Sequence, residues 1–222
     1  MDNKEYKLAR LNAFEGIGLS DSLYNLTIGA TLLWGIIINM AMARFFTYQI
    51  ISIPYVLVLI LYLVGSIGCT MVVYKSNNPA VSFAGFTGLA ISMGLLLTYF
   101  LTMFSGQEIS RAFMLTGAVT VAMMMLSAIR PQFFLSIGRG LGASLIITIV
   151  VELIAAFIFR SSLMITDYVV VLIFCGYVGF DWAKAQMYPK TLDNAVDSAA
   201  DIYVDIVNLF IRILSIIGRR RN

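Results

Sequence analysis

A polar stripe runs along the last apolar segment of the chain, residues 199–218. Its members recur at steps of three or four residues, which places them on one face of an α-helix; they are Asp201, Asp205, Asn208, Arg212 and Ser215. A carboxylate at the centre of a bilayer costs roughly 2.5–3.5 kcal/mol on insertion scales, so such a stripe must face protein or water. We therefore expect this helix in the middle of a bundle. The alternative is an amphipathic helix on the membrane surface, although its polar face lacks the Lys/Arg-rich band of that class.

A second acid, Asp181, lies near the end of the preceding apolar segment. By helical rise, Asp181 and Asp205 lie roughly 6 and 10 Å in from the same side, so two antiparallel neighbours could bring them together. Two carboxyl groups at one low-dielectric site cannot both ionise cheaply, so the pair would share a proton and act as a pH sensor. With both ionised, the pair would offer the hard oxygen ligands that calcium prefers. The alternative is that each aspartate caps a helix end or pairs privately with Lys184 or Arg212.

Two further acids lie inside apolar segments. Glu152 lies well inside the fifth segment, where an ionisable side chain by default indicates function, and it is a candidate for an ion or proton path. Its alternative is a polar group paired with a Ser, Thr or Tyr of a neighbouring helix. Asp167 lies near the start of the sixth segment, about 21 Å from Asp181 by helical rise, and we expect it at the membrane interface.

The composition is that of an integral membrane protein. Of the 222 residues 60% are hydrophobic and 12% charged, and the mean hydropathy is +0.90. No histidine occurs, which excludes Ser-His and Cys-His nucleophile pairs, HExxH zinc chemistry and histidine-based pH sensing. Cys69 and Cys175 lie in apolar runs without metal-type spacing, and the net charge of +3 is not gathered into a basic face. We expect no catalytic residue, no resident cofactor and no nucleic-acid partner.

Seven segments have about the 20 residues that are needed to cross a bilayer. The expected fold class is therefore an all-α integral membrane protein, a seven-helix bundle with the polar-striped last helix at the centre. A polar N-terminal tail, residues 1–22, precedes the transmembrane domain, residues 23–218, and a basic tail, residues 219–222, follows it. The first six segments lie near Leu26–Phe46, Pro54–Tyr74, Ala80–Phe104, Ala112–Ile129, Leu141–Phe159 and Leu163–Ala183.

The distribution of Lys and Arg over short loops predicts the orientation. Eight of them lie on the N-terminal side and three on the other. We therefore expect a cytoplasmic N-terminus. The arginines at 219–221 would emerge outside if the last helix crosses, and would add to the inner count if it dips in and returns, so charge favours a re-entrant path. The eight are Lys4, Lys7, Arg10, Lys75, Arg130, Arg139, Lys184 and Lys190; the three are Arg44, Arg111 and Arg160.

The last helix and two shorter stretches of the chain resemble the Bax inhibitor (transmembrane Bax-inhibitor-motif) family in a bacterial form. The last helix is similar to that family's C-terminal signature of Tyr, a hydrophobe, Asp, two hydrophobes, Asn-Leu-Phe and an apolar run to Arg. The pair Phe180-Asp181 resembles the family's Tyr-Asp in the sixth helix, and Tyr24-Asn25 with Gly29 resembles the start of its first helix. The residues that match the C-terminal signature are Tyr203, Asp205, Asn208, Leu209, Phe210 and Arg212.

The resemblance implies a seven-helix fold with the last helix surrounded by six, and a pH-sensitive calcium leak governed by Asp181 and Asp205. Calcium and protons would be the ions handled, and we expect a monomer. Bacterial members of the family can hold the aspartates with an Arg at the end of the second helix, where this chain offers Lys75 as the latch. A single ammonium cannot reproduce the bidentate contact of an arginine.

Two other functions compete with the leak. The resemblance also allows a membrane-embedded modulator of a membrane-anchored AAA protease, with residues 1–22 as the handle. An intramembrane aspartyl protease needs two aspartates as well, one ionised and one protonated. The stretch 176–181, GYVGFD, comes close to the Gly-x-Gly-Asp pattern of such proteases, but its second glycine is displaced by one position.

Overall fold

The computed structural model of the chain describes residues 18–158 and 164–219. Most of the predicted N-terminal tail, the break at 160–162 and the basic residues 220–222 lie outside the described residues. The described part contains eight helices and no strand. The helices are α1 (Asp21–Phe45), α2 (Thr47–Ile51), α3 (Tyr55–Lys75), α4 (Pro79–Leu101), α5 (Gly106–Ile129), α6 (Pro131–Ile158), α7 (Met164–Met187) and α8 (Leu192–Arg219).

Six of these helices, α1 and α3 to α7, are long and apolar enough to cross a membrane. Their outer faces carry large apolar side chains that water would not tolerate in such number, for example Phe157 at 81% exposure and Leu172 at 72%. The all-α prediction is confirmed, and the chain is a multi-pass membrane protein. The count of seven helices is wrong for the described part, because the five-residue helix α2 follows α1 directly.

Three helices begin six or more residues earlier than the hydropathy pattern predicts. Helix α5 begins at Gly106 rather than Ala112, because Ser105 and Glu108 form a reciprocal capping box. Helix α6 begins at Pro131 rather than at residue 141, since proline is preorganised for a first helical position. Helix α8 begins at Leu192 rather than at residue 199. In each case polar residues extend the helix beyond its apolar part.

Helix α8 is one uninterrupted helix of 28 residues, which is about 40 Å long at the usual rise. It contains no proline, and its one glycine, Gly218, is the residue before its last. A re-entrant path, which the charge count favoured, requires a turn that this helix does not contain. After Leu192, no residue of α8 is exposed, in contrast to the apolar helices. In the polar stripe Asp205 is buried, and the other four members are half-buried. The predicted shielding of the polar face is therefore supported in part.

The chain divides into two compact units, and α8 contributes to both. The first unit comprises the residues up to Met103 together with Met187–Tyr203. In it α4 packs against α1 and α3, and Phe86 meets Tyr203 edge-on with ring centroids 5.3 Å apart. Tyr24, one of the residues of the family resemblance, is fully buried, and its hydroxyl lies 3.2 Å from the Ser198 hydroxyl on α8.

The second unit comprises Phe104–Gln186 and the residues from Val204 onward. Close contacts at glycines join α6 to α7 in this unit. The ring of Phe180 lies where a side chain at Gly138 would be, and the ring of Phe134 lies where one at Gly179 would be. The second unit contains both aspartates of the predicted pair.

Candidate functional site

Asp181 lies on α7 in a turn that its neighbours hold firmly. The rings of Phe180 and Phe134 fill the spaces at two glycines around it, and the Ser127 hydroxyl donates a 2.5 Å hydrogen bond to the Gly179 carbonyl. The aspartate itself is only 9% exposed. These contacts fix the backbone from which the carboxylate projects, so its position is preorganised.

A lysine one turn further along α7 pairs with this aspartate. The Lys184 ammonium lies 3.4 Å from Asp181 Oδ1 and 5.9 Å from the centroid of the Phe180 ring. The private pairing considered for Asp181 is thus present, although a single-point contact at this distance is weaker than a bidentate one. Lys75, the predicted latch, is exposed in the last turn of α3 and belongs to the first unit. A latch role for Lys75 stays a prediction.

Asp205 lies on α8 and is 5% exposed. Helices α7 and α8 are joined at Asp167, which contacts Arg212 at 2.9 Å and Arg219 at 2.8 Å on α8. Asp181 lies fourteen residues after Asp167, and Asp205 lies fourteen residues before Arg219. By helical rise Asp181 is about 21 Å from Asp167, and Asp205 is about 10 Å from Arg212 and about 21 Å from Arg219.

Tyr177 gives a second, independent indication that the two carboxylates share one region. It lies one turn before Asp181 on α7, and both Asp181 and Asp205 act electrostatically on its hydroxyl. Its hydroxyl also lies 3.5 Å from the position that a side chain at Gly142 would take. Asp181 and Asp205 therefore lie in the same unit within electrostatic reach of one phenol, and Lys184 lies beside Asp181. That the two carboxyl groups form a proton-sharing pair stays a prediction. Such a group of side chains can hold, share and release a proton.

The other members of the polar stripe have different partners. Asp201 accepts a hydrogen bond from the Tyr74 hydroxyl on α3. The side chains of Asn208 and Ser215 donate to carbonyls one turn back in α8, at 2.8 and 3.0 Å. These two polar groups are satisfied within their own helix. They therefore need no partner on a neighbouring helix.

Sequence reasoning missed the first half of this stripe. Asp193 and Asp197 precede Asp201 and Asp205 at steps of four residues, which continues the same face of α8. Asp193 accepts a 2.6 Å hydrogen bond from the Ser82 hydroxyl, and Asp197 is 2% exposed. The regular spacing of four was the available signal. It was hidden because the helix was expected to begin only at residue 199.

Arg212 binds two acids that the sequence analysis treated separately. Its Nη1 and Nη2 donate to the two Glu152 carboxylate oxygens at 2.7 and 2.9 Å, and Nη1 also donates to Asp167 Oδ1 at 2.9 Å. Asp167 was expected at the membrane interface, which stays a prediction. Its side chain is 2% exposed and lies between two arginines, Arg212 and Arg219. The alternative for Glu152, a hydroxyl partner, is replaced by an ion pair.

The described residues, 18–158 and 164–219, contain no group of three or more Asp, Glu or Cys side chains arranged to hold a metal ion. Calcium was predicted at Asp181 and Asp205 as an ion that passes or binds there. The carboxylate oxygens of these two residues are the ligand type that calcium prefers.

Comparisons with known proteins place these residues in a family context. A family model described as "Inhibitor of apoptosis-promoting Bax1" matches residues 21–222. Bax inhibitor 1 of Schizosaccharomyces pombe is 31% identical over 183 residues, which cover 80% of this chain and 66% of that protein. Protein LIFEGUARD 4 of Arabidopsis thaliana is 29% identical over 154 residues, covering 67% and 61%. The Golgi anti-apoptotic protein of vaccinia virus (strain Lister) is 26% identical over 156 residues, covering 69% and 65%. The chain thus spans about two thirds or less of the length of these relatives.

Proposed function

Because the chain belongs to the Bax inhibitor family, we propose that this multi-pass membrane protein is a pH-sensitive calcium leak gated by Asp181 and Asp205. The observation that carries the proposal is the burial of two aspartates, Asp181 and Asp205, on two helices that are joined through Asp167. Calcium is the cargo in this proposal, and protons are the signal. No catalytic step is involved, so the chain acts as a channel rather than as an enzyme.

The gate depends on how many protons the two carboxyl groups hold. With one shared proton, a carboxyl donates to a carboxylate, and such charge-assisted bonds are roughly twice as strong as neutral ones. With none, two unit charges 4 Å apart repel by about 4 kcal/mol at an effective dielectric constant of 20. With two protons, both carboxyl groups are neutral, and only a neutral hydrogen bond between them remains. The tie between α7 and α8 is therefore strongest in the singly protonated state, and flux is lowest there.

The groups that face the pair adjust this balance. On α7, the Lys184 ammonium lies 3.4 Å from Asp181, and the Tyr177 hydroxyl lies within electrostatic reach of both aspartates. On α8, Asp201 lies one turn before Asp205 and adds negative charge. When the pair is ionised, its oxygens attract a divalent cation. Proton loss thus opens the tie and provides a binding point for the cargo.

The same proposal includes seven membrane crossings, namely the six apolar helices α1 and α3 to α7 and, as a central seventh, α8. Its length of about 40 Å exceeds the hydrocarbon thickness of about 30 Å, and after Leu192 no residue of it is exposed. The excess of eight over three basic residues supports a cytoplasmic N-terminus in the inner membrane. The lipid bilayer, calcium and protons are then the partners of a monomer.

A second candidate is a modulator of a membrane-anchored AAA protease. The names of two relatives, Bax inhibitor 1 and Golgi anti-apoptotic protein, describe restraint rather than transport. The handle proposed for this role, residues 1–22, lies almost wholly outside the described residues. Deleting it should abolish regulation of the partner and leave ion flux untouched.

The decisive experiment measures calcium flux into proteoliposomes of the purified full chain across a pH series. We expect flux with a minimum at the pH where the pair holds one proton. Absence of flux at every pH would reject the leak and favour the modulator. Cleavage of a transmembrane peptide that Asp181→Asn abolishes would instead favour the aspartyl protease. The Glu152→Gln variant is the control, and it should change the magnitude of flux without moving its pH midpoint.

A further inference from the structure

A four-membered ionic cluster lies in the second unit, away from the aspartate pair. It consists of Glu152 on α6, Asp167 on α7, and Arg212 and Arg219 on α8, and we refer to it as the Arg212 cluster. The two positive and two negative side chains balance. Three helices therefore meet at one charge-neutral point.

The geometry of this cluster resists movement. Arg212 grips the Glu152 carboxylate with both terminal nitrogens, and its Nη1 is shared with Asp167. Asp167 is engaged through both oxygens, by Arg212 at 2.9 Å and by Arg219 at 2.8 Å, and is 2% exposed. A bidentate guanidinium fixes orientation as well as distance. The limited exposure also weakens screening by solvent.

The Arg212 cluster and the aspartate pair connect the same two helices, α7 and α8, at different positions along their axes. On α7, Asp167 lies fourteen residues before Asp181, which is about 21 Å by helical rise. On α8, Arg212 and Arg219 lie seven and fourteen residues after Asp205, which is about 10 and 21 Å. Neither helix contains a proline, and α8 is a single unbroken rod. Because both helices are unbroken, a separation of α7 from α8 at the aspartate pair tilts the helices about the Arg212 cluster.

We propose that the Arg212 cluster is the fulcrum of the gate. It holds α6, α7 and α8 together at one end while α7 and α8 separate at the aspartates. The inference rests on the proposed function for what drives the aspartate end, but the clamp itself does not depend on calcium. By limiting separation to one end, the cluster sets how far the gate opens and allows it to close again.

Tryptophan fluorescence can follow both ends of α7 in the full chain without calcium. The sequence has two tryptophans, Trp34 and Trp182, so Trp34→Phe leaves Trp182 as a reporter directly after Asp181. Tyr168→Trp, in a protein that also carries Trp34→Phe and Trp182→Phe, reports beside Asp167; Tyr168 is 40% exposed. Quenching by acrylamide in lipid nanodiscs is then measured across a pH series for each reporter.

With Arg212 intact, we expect the quenching constant to shift with pH at Trp182 and to stay constant at position 168. In Arg212→Gln it should shift at both positions. Arg212→Lys keeps the positive charge but loses the bidentate contact of the guanidinium. The quenching constant of the reporter at position 168 should then shift with pH by a smaller amount than in Arg212→Gln. Arg111→Gln, at an exposed arginine of α5, is the matched control and should behave as the unmodified protein.

Two results would overturn the fulcrum: a pH shift at position 168 as large as that at Trp182 with Arg212 intact, or an unchanged reporter at 168 in Arg212→Gln. A pH-insensitive Trp182 would reject the fulcrum together with the aspartate gate. If the fluorescence pattern is as expected but proteoliposomes show no calcium flux, the leak fails and the fulcrum stands.

Discussion

Replacing Arg212 and Glu152, singly and together, tests the energetic importance of the ion pair. Their side chains are 29% and 27% exposed, which lies between a surface pair and a buried one. Surface pairs contribute about 0–1 kcal/mol, whereas breaking a buried pair costs about 3–5 kcal/mol. For this geometry we expect Glu152→Gln to cost about 2 kcal/mol and Arg212→Gln about 3 kcal/mol, since the latter also leaves Asp167 with one arginine fewer.

The double variant decides whether the two residues act as a unit. Glu152→Gln with Arg212→Gln removes both charges, so its cost should be close to that of Arg212→Gln alone. The expected coupling is about 1.5–2 kcal/mol. In thermal unfolding of the detergent-solubilised protein, a loss of about 2 kcal/mol lowers Tm by about 4–8 °C for a chain of this size.

Arg111→Gln provides the baseline for loss of an arginine charge and should leave Tm nearly unchanged, because this side chain is exposed. Additive losses in the double variant would refute the reasoning. So would an Arg212→Gln protein as stable as the Arg111→Gln protein. Either result would mean that the short distances at Arg212 carry no net stabilisation.

Two further substitutions test the surroundings of the stripe. Gly138→Ala places a methyl group against the Phe180 ring, so it should cost about 1–3 kcal/mol of stability and disturb the turn before Asp181. Gly140→Ala is the control and should not lower Tm, because nothing lies within 4 Å of the added methyl group. Equal Tm values for the two variants would contradict this packing. Tyr74→Phe removes the hydrogen bond to Asp201 and should cost about 1–3 kcal/mol. Adding Asp201→Asn should recover part of that loss, and no recovery in the melting curve would show that the bond does not stabilise the fold.

The features of α8 that depend on local chemistry could be predicted from sequence. The steps of three and four residues fix which side chains share a face, and the cost of charge in lipid requires that face to be covered. The Ser105 and Glu108 capping box was also readable, since the S-x-x-E pattern stands in the sequence. The expected start of α5 at Ala112 was wrong because hydropathy was given more importance than the cap.

The partners across helices could not be predicted in the same way. Arg212 and Glu152 are 60 residues apart along the chain, and no local pattern states which acid will meet which arginine. Arg219 lies seven residues after Arg212, two turns along the same face, and this was the signal for a second basic residue in the cluster. By contrast, Lys184 lies three residues after Asp181 on the same helix, and the sequence analysis had named that pairing as an alternative.

The central claim is that Asp181 and Asp205 titrate as one unit that governs calcium flux. Its most direct test is the pH profile of flux in proteoliposomes for Asp181→Asn, Asp205→Asn and the double variant. Because either asparagine already abolishes proton sharing, each single variant should shift or flatten the profile. The double variant should then be little worse than the worse single one. Additive losses with an unchanged pH midpoint in both single variants would contradict the account.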